Sequence, residues 1–325
     1  MKSRVLFLVL FVIGISASAQ QDPQFTQWMF DKVSFNPAAA GIDRAHCATM
    51  FHRDQWDMLD RDPKTYLFNY DGMFTDLLPN VGVGLTFYTD ALGQEKTNVF
   101  RFSGNYQYNI SGIGTVSAGL ALGNYSKTLG DDWRPIDPDD LTILDLPRQN
   151  SSVFDLSFGA MLKGSNYYGG ISMTHLSQGE LEDLSIDVLR TYWIMGGYDY
   201  TIPGSSDLKL RSNVLAKTDF NALQYDINLN VLWSNMVWVG ASYRGKDAIA
   251  PMAGYIYNFA PVKKATSQLE SKIMVGISYD AGLSDLKNYN DGSYELFVKY
   301  CFNFTKIILR KPYSNPRFLG HRKIN

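Results

Sequence analysis

Apolar and polar residues alternate along much of this chain. In the stretch 294–304, YELFVKYCFNF, every second residue is apolar and the residues between are mostly polar. Side chains alternate between the two faces of a strand, so this period of two predicts a strand with one apolar and one polar face. The same alternation recurs at 100–110, 154–162, 225–233 and 273–280. Such strands are long enough to cross a membrane at a tilt, which takes about 9–11 residues.

Segments of this kind predict about 14 strands, an even number as in bacterial outer-membrane barrels. We therefore expect an all-β fold, a transmembrane antiparallel β-barrel over residues 46–304. Its apolar face from Tyr294 to Phe304 would meet lipid, and its polar face would line the lumen. The strands are expected to begin near Cys47, Pro63, Val81, Thr97, Thr115, Val153, Tyr167, Arg190, Leu208, Gln224, Val237, Ala250, Lys272 and Ser293.

The lengths of the links favour a membrane barrel over a soluble sandwich. Links after even-numbered strands read as short turns, such as SGIG, KGSN and PGSSD, whereas several links after odd-numbered strands are long. Outer-membrane barrels have short periplasmic turns and longer surface loops. We therefore expect the short links and both chain termini on the periplasmic side. Two even links, DGMFTDLLPN and APVKKATSQLES, are longer than this rule predicts.

The N-terminus has the three parts of a secretory signal peptide. Lys2 and Arg4 precede an apolar run, and residues 17–19, Ala-Ser-Ala, are small enough for cleavage after Ala19. Removing this signal makes the net charge two units more negative than −2 and leaves no basic footprint for nucleic acid. No Cys follows to carry a lipid anchor, and beyond Ala19 no run of about 18 apolar residues predicts a membrane helix.

Few residues point to chemistry. His46 and His52 would share a strand face that Cys47 opposes, which does not meet the usual spacing of zinc ligands. His175 lies near Ser172 and Ser177, but the chain has no Gly-x-Ser-x-Gly nucleophile elbow. The acid-rich stretch 131–140 lacks the spacing of a calcium loop. We expect no catalysis, metal or cofactor.

Residues 20–45 do not alternate. Phe25, Trp28, Met29 and Val33 fall at helical spacing, and residues 36–37, Asn-Pro, should end a helix there. A barrel of about 14 strands encloses more space than its own side chains fill. We expect this segment to plug the barrel or to dock a periplasmic partner. A disordered leader is the alternative, against which the aromatic content argues.

Two motifs in this region resemble the PorP/SprF family of the type IX secretion system of Bacteroidota. Residues 21–41, QDPQFTQWMFDKVSFNPAAAG, are similar to the opening of the mature chain in that family. Residues 51–74 are similar to its Arg-x-Gln-Trp motif with a downstream Pro-x-Thr. Trp28 stands where the family commonly has Tyr, and Asp31 where it commonly has Asn. The residues that these motifs mark for a plug or partner site are Gln24, Phe25, Gln27, Trp28, Met29, Phe30, Asn36, Pro37, Gly41, Arg53, Gln55 and Trp56.

The resemblance implies a non-enzymatic outer-membrane component of protein secretion, and in some members of gliding motility. Such a protein would dock periplasmic ring proteins, or anchor or export a surface adhesin. On the residues alone, a passive porin or hydrophobic-solute channel and a soluble periplasmic sandwich stay open as alternatives. The basic tail at 305–325 is expected in the periplasm, where it would bind an acidic partner or inner-leaflet phosphates, or simply be solvated.

Cys47 and Cys301 are the two cysteines of the chain. Barrel closure would make the first and last strands antiparallel neighbours and bring both residues toward the periplasmic rim. A disulfide would close this seam if the Cα atoms come within about 7 Å. Cys301 has lumen-facing parity, but the weak pattern of the first strand leaves the face of Cys47 open. Two unpaired thiols are the simpler expectation.

Overall fold

The structure, a computed structural model, describes residues 22, 24–56, 62–74, 78–132, 147–205, 207–264, 267–283 and 291–306. Fourteen of its strands form a barrel: β1 (His46–Asp54), β2 (Lys64–Met73), β3 (Val81–Leu92), β4 (Glu95–Ile110), β5 (Gly114–Leu129), β6 (Gln149–Lys163), β7 (Tyr167–Thr174), β10 (Thr191–Thr201), β11 (Leu208–Thr218), β12 (Leu223–Trp233), β13 (Val237–Arg244), β14 (Ala248–Asn258), β16 (Ser267–Gly282) and β17 (Ser293–Lys306). The short strands β8 (Glu180–Leu181), β9 (Ile186–Asp187) and β15 (Val262–Lys264) form accessory ribbons.

Each barrel strand pairs antiparallel with its neighbours, and the sheet closes on itself. β1 pairs with β17, and β14 pairs with β16, so the first and last barrel strands meet at a seam. The prediction of a closed antiparallel barrel of fourteen strands is confirmed. The predicted strand starts lie within five residues of the observed ones.

The two faces of the strands are as the alternation predicts. In β17, Tyr294, Leu296 and Tyr300 are exposed on the outside, whereas Glu295 and Phe297 are buried inside. The outward face of the other strands is likewise a band of exposed large apolar residues, which lipid would cover. Cys47 is buried on the inner face of β1, and its neighbour His46 lies on the outer face.

The links define two ends of the barrel. We call the end where β1 begins and β17 ends the turn end, and the other the loop end. The structure explains the two turn-end links that are longer than the rule predicts. The first three residues of DGMFTDLLPN belong to β2, and APVKKATSQLES contains the β15–β16 hairpin. At the loop end, the expectation of long links is wrong for 93–94, 219–222 and 245–247, which are short.

The segment before β1 is not the α-helix that its apolar spacing predicts. Its described residues, 22 and 24–45, contain two single-turn 3₁₀ helices, η1 (Trp28–Phe30) and η2 (Pro37–Ala39), and no helix in the described part of the chain is long and apolar enough to span a membrane. Asn36 begins η2 as its N-cap, so the expectation that residues 36–37 end a helix is wrong. The aromatic residues are spaced by contacts to the barrel wall rather than by a helical period.

Candidate functional site: the segment inside the barrel

Residue 22 and residues 24–45, which we call the lumen segment, run through the inside of the barrel. Asp22 bonds His175, which directly follows the loop-end terminus of β7. Asn36 and Gly41 bond backbone and side chains nearer the turn end, where β1 then begins. Residue 22 and the end of β17 therefore lie toward opposite ends of the barrel. This differs from the expectation that both termini lie on one side.

One carboxylate of the barrel wall, that of Glu295, binds the lumen segment at Thr26 and Gln27. The backbone N–H of Thr26 donates to Oε2 of Glu295 at 2.7 Å, and that of Gln27 donates to Oε1 at 2.8 Å. Glu295 is fully enclosed in the lumen. Each carboxylate oxygen thus replaces the intrahelical or water partner that a buried N–H needs.

Three further side chains form hydrogen bonds with the Thr26 hydroxyl. It donates to Oδ1 of Asp280 at 2.8 Å and accepts from Nη1 of Arg53 at 2.9 Å and Nη2 of Arg244 at 3.0 Å. Asp280 also lies 2.7 Å from Arg53 and 3.0 Å from Arg244. We call Arg53, Arg244, Asp280 and Glu295 the arginine clamp. These four residues come from β1, β13, β16 and β17, so the clamp spans the seam.

A second polar cluster holds Asp22, the first described residue. His175 lies between two carboxylates, with Nε2 3.1 Å from Asp22 and Nδ1 3.2 Å from Asp155. Arg101 donates from Nε to Asp155 at 3.0 Å, and the Tyr88 hydroxyl donates to Asp22 at 3.2 Å. Burial lowers the pKa of His175, but the charge of Asp22 and the hydrogen bonds to Asp155 and Asp22 outweigh it and raise that pKa to about 9. His175 is therefore a cation at neutral pH, and it neutralises the buried carboxylates.

Aromatic side chains of the lumen segment pack against inward aromatic residues of the wall. The ring centroids of Phe30 and Phe297 are 4.7 Å apart, and those of Phe25 and Phe51 are 5.2 Å apart. Phe35 meets Trp193 edge-on at 5.0 Å. Trp28 has no exposed surface. Fully burying a large side chain contributes roughly 1.5–3 kcal/mol, so these contacts stabilise the segment in place together with the polar clusters.

The stretch 36–41, NPAAAG, fits the wall near the turn end by its small size and its capping chemistry. Asn36 accepts from the N–H of Ala38 and donates from Nδ2 to the carbonyls of Ala160 and Ile171, both at 3.1 Å. Pro37 occupies the first position of η2, where a missing N–H costs nothing. The next carbonyls are bonded by wall side chains: Ser117 donates to Ala38, and Asn105 and Gln107 donate to Ala40.

Glycine is required where this stretch touches the wall. A Cβ at Gly159 of β6 would overlap the side-chain oxygen of Asn36. Gly41 has φ +64°, a conformation that favours glycine, and a Cβ there would lie 2.6 Å from the carbonyl oxygen of Gly72. Its N–H donates to Asp71 at 2.9 Å. Residues 36–41 therefore bring their backbone and side chains into close contact with the barrel wall.

Cys47 and Cys301 lie directly opposite each other across the β1–β17 seam. Their Cα atoms are 4.1 Å apart, and the structure joins them by a disulfide that faces the lumen. The parity of Cys47, which the sequence leaves open, is thus inward.

Most of the motif residues meet in the lumen. Gln24, Phe25, Gln27, Trp28, Met29, Phe30, Asn36, Pro37 and Gly41 lie along the lumen segment, and Arg53 reaches it from the wall. Gln55 and Trp56 lie instead in the link after β1, where the N–H of Gln55 donates to Pro63 and that of Trp56 donates to Ser293. Sequence reasoning missed Thr26, Asp280, Glu295 and Arg244. The signal available for Asp280, Glu295 and Arg244 was a charged residue on the polar parity of a strand, whereas Thr26 carries no such signal.

The chemistry considered in the sequence has another explanation in the structure. The hydroxyl of Ser172 donates to the carbonyl of Phe35, and that of Ser177 donates to the carbonyl of Phe154. Neither hydroxyl bonds His175, whose imidazole instead lies between the carboxylates of Asp22 and Asp155. Among the described residues, no group of three or more His, Cys, Asp or Glu side chains could hold a metal ion. Residues 133–146, which include most of the acid-rich stretch considered for calcium, lie outside the described residues.

Sequence comparison assigns the chain to a family. Residues 17–300 match the profile of the family described as type IX secretion system membrane protein PorP/SprF, which covers most of the chain. The chain belongs to this family. Membership in the PorP/SprF family implies an outer-membrane component of type IX secretion. No curated protein matches the chain.

Solved structures similar to this PorP/SprF protein are distant in sequence. The outer membrane protein Omp33 of Acinetobacter baumannii is 9% identical, with 80% of this chain and 99% of that chain covered and a TM-score of 0.42. The toluene transporter TbuX of Ralstonia pickettii is 8% identical, with 84% and 93% covered and a TM-score of 0.44. The monoaromatic hydrocarbon channel CymD is 10% identical, with 91% and 95% covered and a TM-score of 0.46. Similarities at this level carry no argument about what this chain binds or transports.

Proposed function

We propose that this protein is a non-enzymatic outer-membrane component of type IX secretion whose barrel is plugged by its own N-terminal segment. One observation carries the proposal: the lumen segment is bonded to inward side chains of β1, β4, β5, β13, β16 and β17 along the barrel. A barrel that passes solutes freely does not need a segment of its own chain bonded to the wall along its lumen. A plugged barrel instead offers its two ends as surfaces for partners.

The plug supports a docking or anchoring role. One end of such a barrel would meet the periplasmic machinery of secretion, and the other would hold or export a surface adhesin. The alternative, a passive porin or hydrophobic-solute channel, requires a lumen that the segment leaves open.

The proposal includes an orientation. Short turns face the periplasm in outer-membrane barrels, so we place the turn end there and the loop end at the cell surface. With cleavage after Ala19, the mature N-terminus would begin close to Asp22 and therefore toward the surface end, while β17 would end in the periplasm.

Thiol labelling tests this orientation with a matched pair of variants. Asn221, changed to Cys in one variant, lies in the short link between β11 and β12 at the loop end. Ser111, changed to Cys in the other variant, lies in the turn between β4 and β5 at the turn end. Both positions are exposed. A membrane-impermeant maleimide should label only Asn221→Cys in intact cells and both variants after lysis. Labelling of Ser111→Cys alone in intact cells would show that the turn end faces the cell surface, which is the opposite of the proposed orientation.

Export tests the role of the lumen segment. Changing Phe25, Trp28, Met29 and Phe30 together to Ser removes the apolar anchors, so we expect the barrel to reach the membrane while secretion or surface display is lost. Heat-modifiable migration on gels reports barrel insertion in the same cells. Phe220→Ser is the control, because Phe220 is 76% exposed in the link between β11 and β12. Wild-type export by the fourfold variant would refute the assignment.

A further inference from the structure

A cavity of about 450 Å³ lies inside the barrel between the lumen segment and the turn end. It is lined by the turn Gly164–Asn166 between β6 and β7 and by Ala45 just before β1, so it reaches the turn-end rim. Its volume is within the range of about 300–1,000 Å³ that is typical of small-molecule sites. The strands of the barrel wall separate it from the lipid-facing surface. We call it the turn-end chamber.

The chamber has an excess of positive charge. Its basic residues come from five separate places in the chain, the lumen segment, β6, β11, β16 and β17, and its two acidic residues are Asp43 and Asp199. These acids are already engaged: Asp43 pairs with Lys163, and Asp199 pairs with Arg211 at 3.4 Å. The remaining basic residues are Lys32, Lys272 and Lys299.

None of these three lysines forms a direct ion pair with a carboxylate in the part of the chain that the structure describes, and in this sense their charges are unmatched. The charge of Asp43 acts on Lys32 and Lys272 from beyond ion-pair distance. The ammonium of Lys32 donates to the carbonyl of Met29 at 2.9 Å and lies 4.5 Å from the centre of the Tyr168 ring. Lys299 donates to the carbonyl of Phe30 at 2.8 Å. Lys272 is exposed to the chamber opposite Cys301. In the arginine clamp each cation contacts a carboxylate directly, whereas these three lysines do not, so the lining of the chamber has a surplus of positive charge that an anion would neutralise.

We propose that the turn-end chamber binds a small water-soluble molecule that carries two or more phosphate groups. Lys acts toward phosphate as a point charge with three donors, and an oligophosphate concentrates several negative charges in a volume that fits the chamber. The apolar lining, including Ile256 and Met274, leaves room for an organic part of the ligand. The assignment does not depend on the secretion role of the barrel.

The chain's own tail does not fit this site. Residues 307–325 contain Arg310, Lys311, Arg317, Arg322 and Lys323 and no acidic residue. A basic segment would be repelled by the unmatched lysines. A membrane lipid is disfavoured too, because its acyl chains would have to leave the bilayer and pass inside the wall.

Calorimetric titration of the purified full-length protein in detergent with inorganic tripolyphosphate tests the proposal. Variants Lys272→Gln and Lys299→Gln each remove one unmatched charge, and we expect each to weaken binding about tenfold, as the loss of a hydrogen bond to a charged group does. Lys96→Gln is the matched control, because Lys96 is an exposed residue of β4 at the loop end. Equal circular dichroism melting curves show that the variants are folded.

Each other outcome overturns the assignment. Absence of tripolyphosphate binding at low ionic strength, or equal binding by the chamber variants and Lys96→Gln, would show that the chamber does not take this ligand. Equally strong binding of sulfate at matched ionic strength would show only diffuse attraction of anions. Tighter binding of a hexa-aspartate peptide would assign the chamber to an acidic peptide segment. Tighter binding to vesicles that contain phosphatidic acid would assign it to a lipid headgroup.

Discussion

The backbone N–H of Thr26 donates to the carboxylate of Glu295 at 2.7 Å, although the two residues lie 269 positions apart in the chain. The start of the lumen segment is thus fastened to the last strand of the barrel. Glu295 forms this bond from within the arginine clamp, where Arg53 lies 3.2 Å from its Oε2 atom. Barrel closure and the seating of the segment are coupled, because the clamp is complete only when β1 and β17 are paired.

This coupling predicts the effect of Glu295→Gln. The amide replaces one acceptor oxygen by an NH₂ donor that faces a backbone N–H, and it removes one of the two carboxylate charges that neutralise Arg53. Breaking a buried ion pair typically costs about 3–5 kcal/mol. We expect a lower melting temperature and faster hydrogen exchange at residues 26 and 27.

Glu180→Gln supplies the control for this experiment, because Glu180 is exposed in the β8–β9 ribbon. Its exchange rates at residues 26 and 27 should equal those of the wild type. Unchanged protection in Glu295→Gln would mean that the clamp does not hold the segment.

The close approach of Asn36 to the wall predicts a large effect of one methyl group. Gly159→Ala places a Cβ against the Asn36 side chain, and overpacking of this kind costs about 1–3 kcal/mol. Gly104→Ala on β4 is the matched control, because a Cβ there meets nothing within 4 Å. Thermal unfolding in detergent should separate the two variants. Equal stability of both would show that residues 36–41 do not pack against β6 as described.

Thiol counting tests the seam between β1 and β17. We expect Cys47 and Cys301 to be oxidised, because their Cα atoms are 4.1 Å apart and the periplasm is oxidising. Labelling of the denatured, unreduced protein should therefore find no free thiol, and reduction should release two. A disulfide of this kind typically stabilises by about 2–4 kcal/mol, so Cys301→Ser should lower the melting temperature. Two free thiols in the unreduced protein would contradict the prediction.

The sequence predicts the barrel well because its signal is local. The alternation of Tyr294, Leu296 and Tyr300 with Glu295 and Phe297 fixes which face of β17 meets lipid, and similar local patterns locate the other strands. Closure then follows because a sheet that spans a membrane cannot leave the backbone of an edge strand unpaired in lipid.

The interior of the barrel is harder to predict because its contacts are long-range. The spacing of Phe25, Trp28 and Met29 fits a helix, yet each side chain is placed by a partner on the wall. Thr26 has no pattern of its own, and its partner Asp280 looks like any polar residue that faces a wet lumen. Only the register between strands brings these residues together.

The central claim is that residues 22–45 close the barrel, and single-channel conductance in planar bilayers tests it most directly. The full-length protein is compared with a variant that lacks residues 22–45, and heat-modifiable gel migration shows that both barrels are folded. We predict little steady conductance for the full-length protein and a stable open conductance for the deletion variant, because removal of the segment empties the lumen. A full-length protein with the same high, steady conductance as the deletion variant would contradict the account and support a porin.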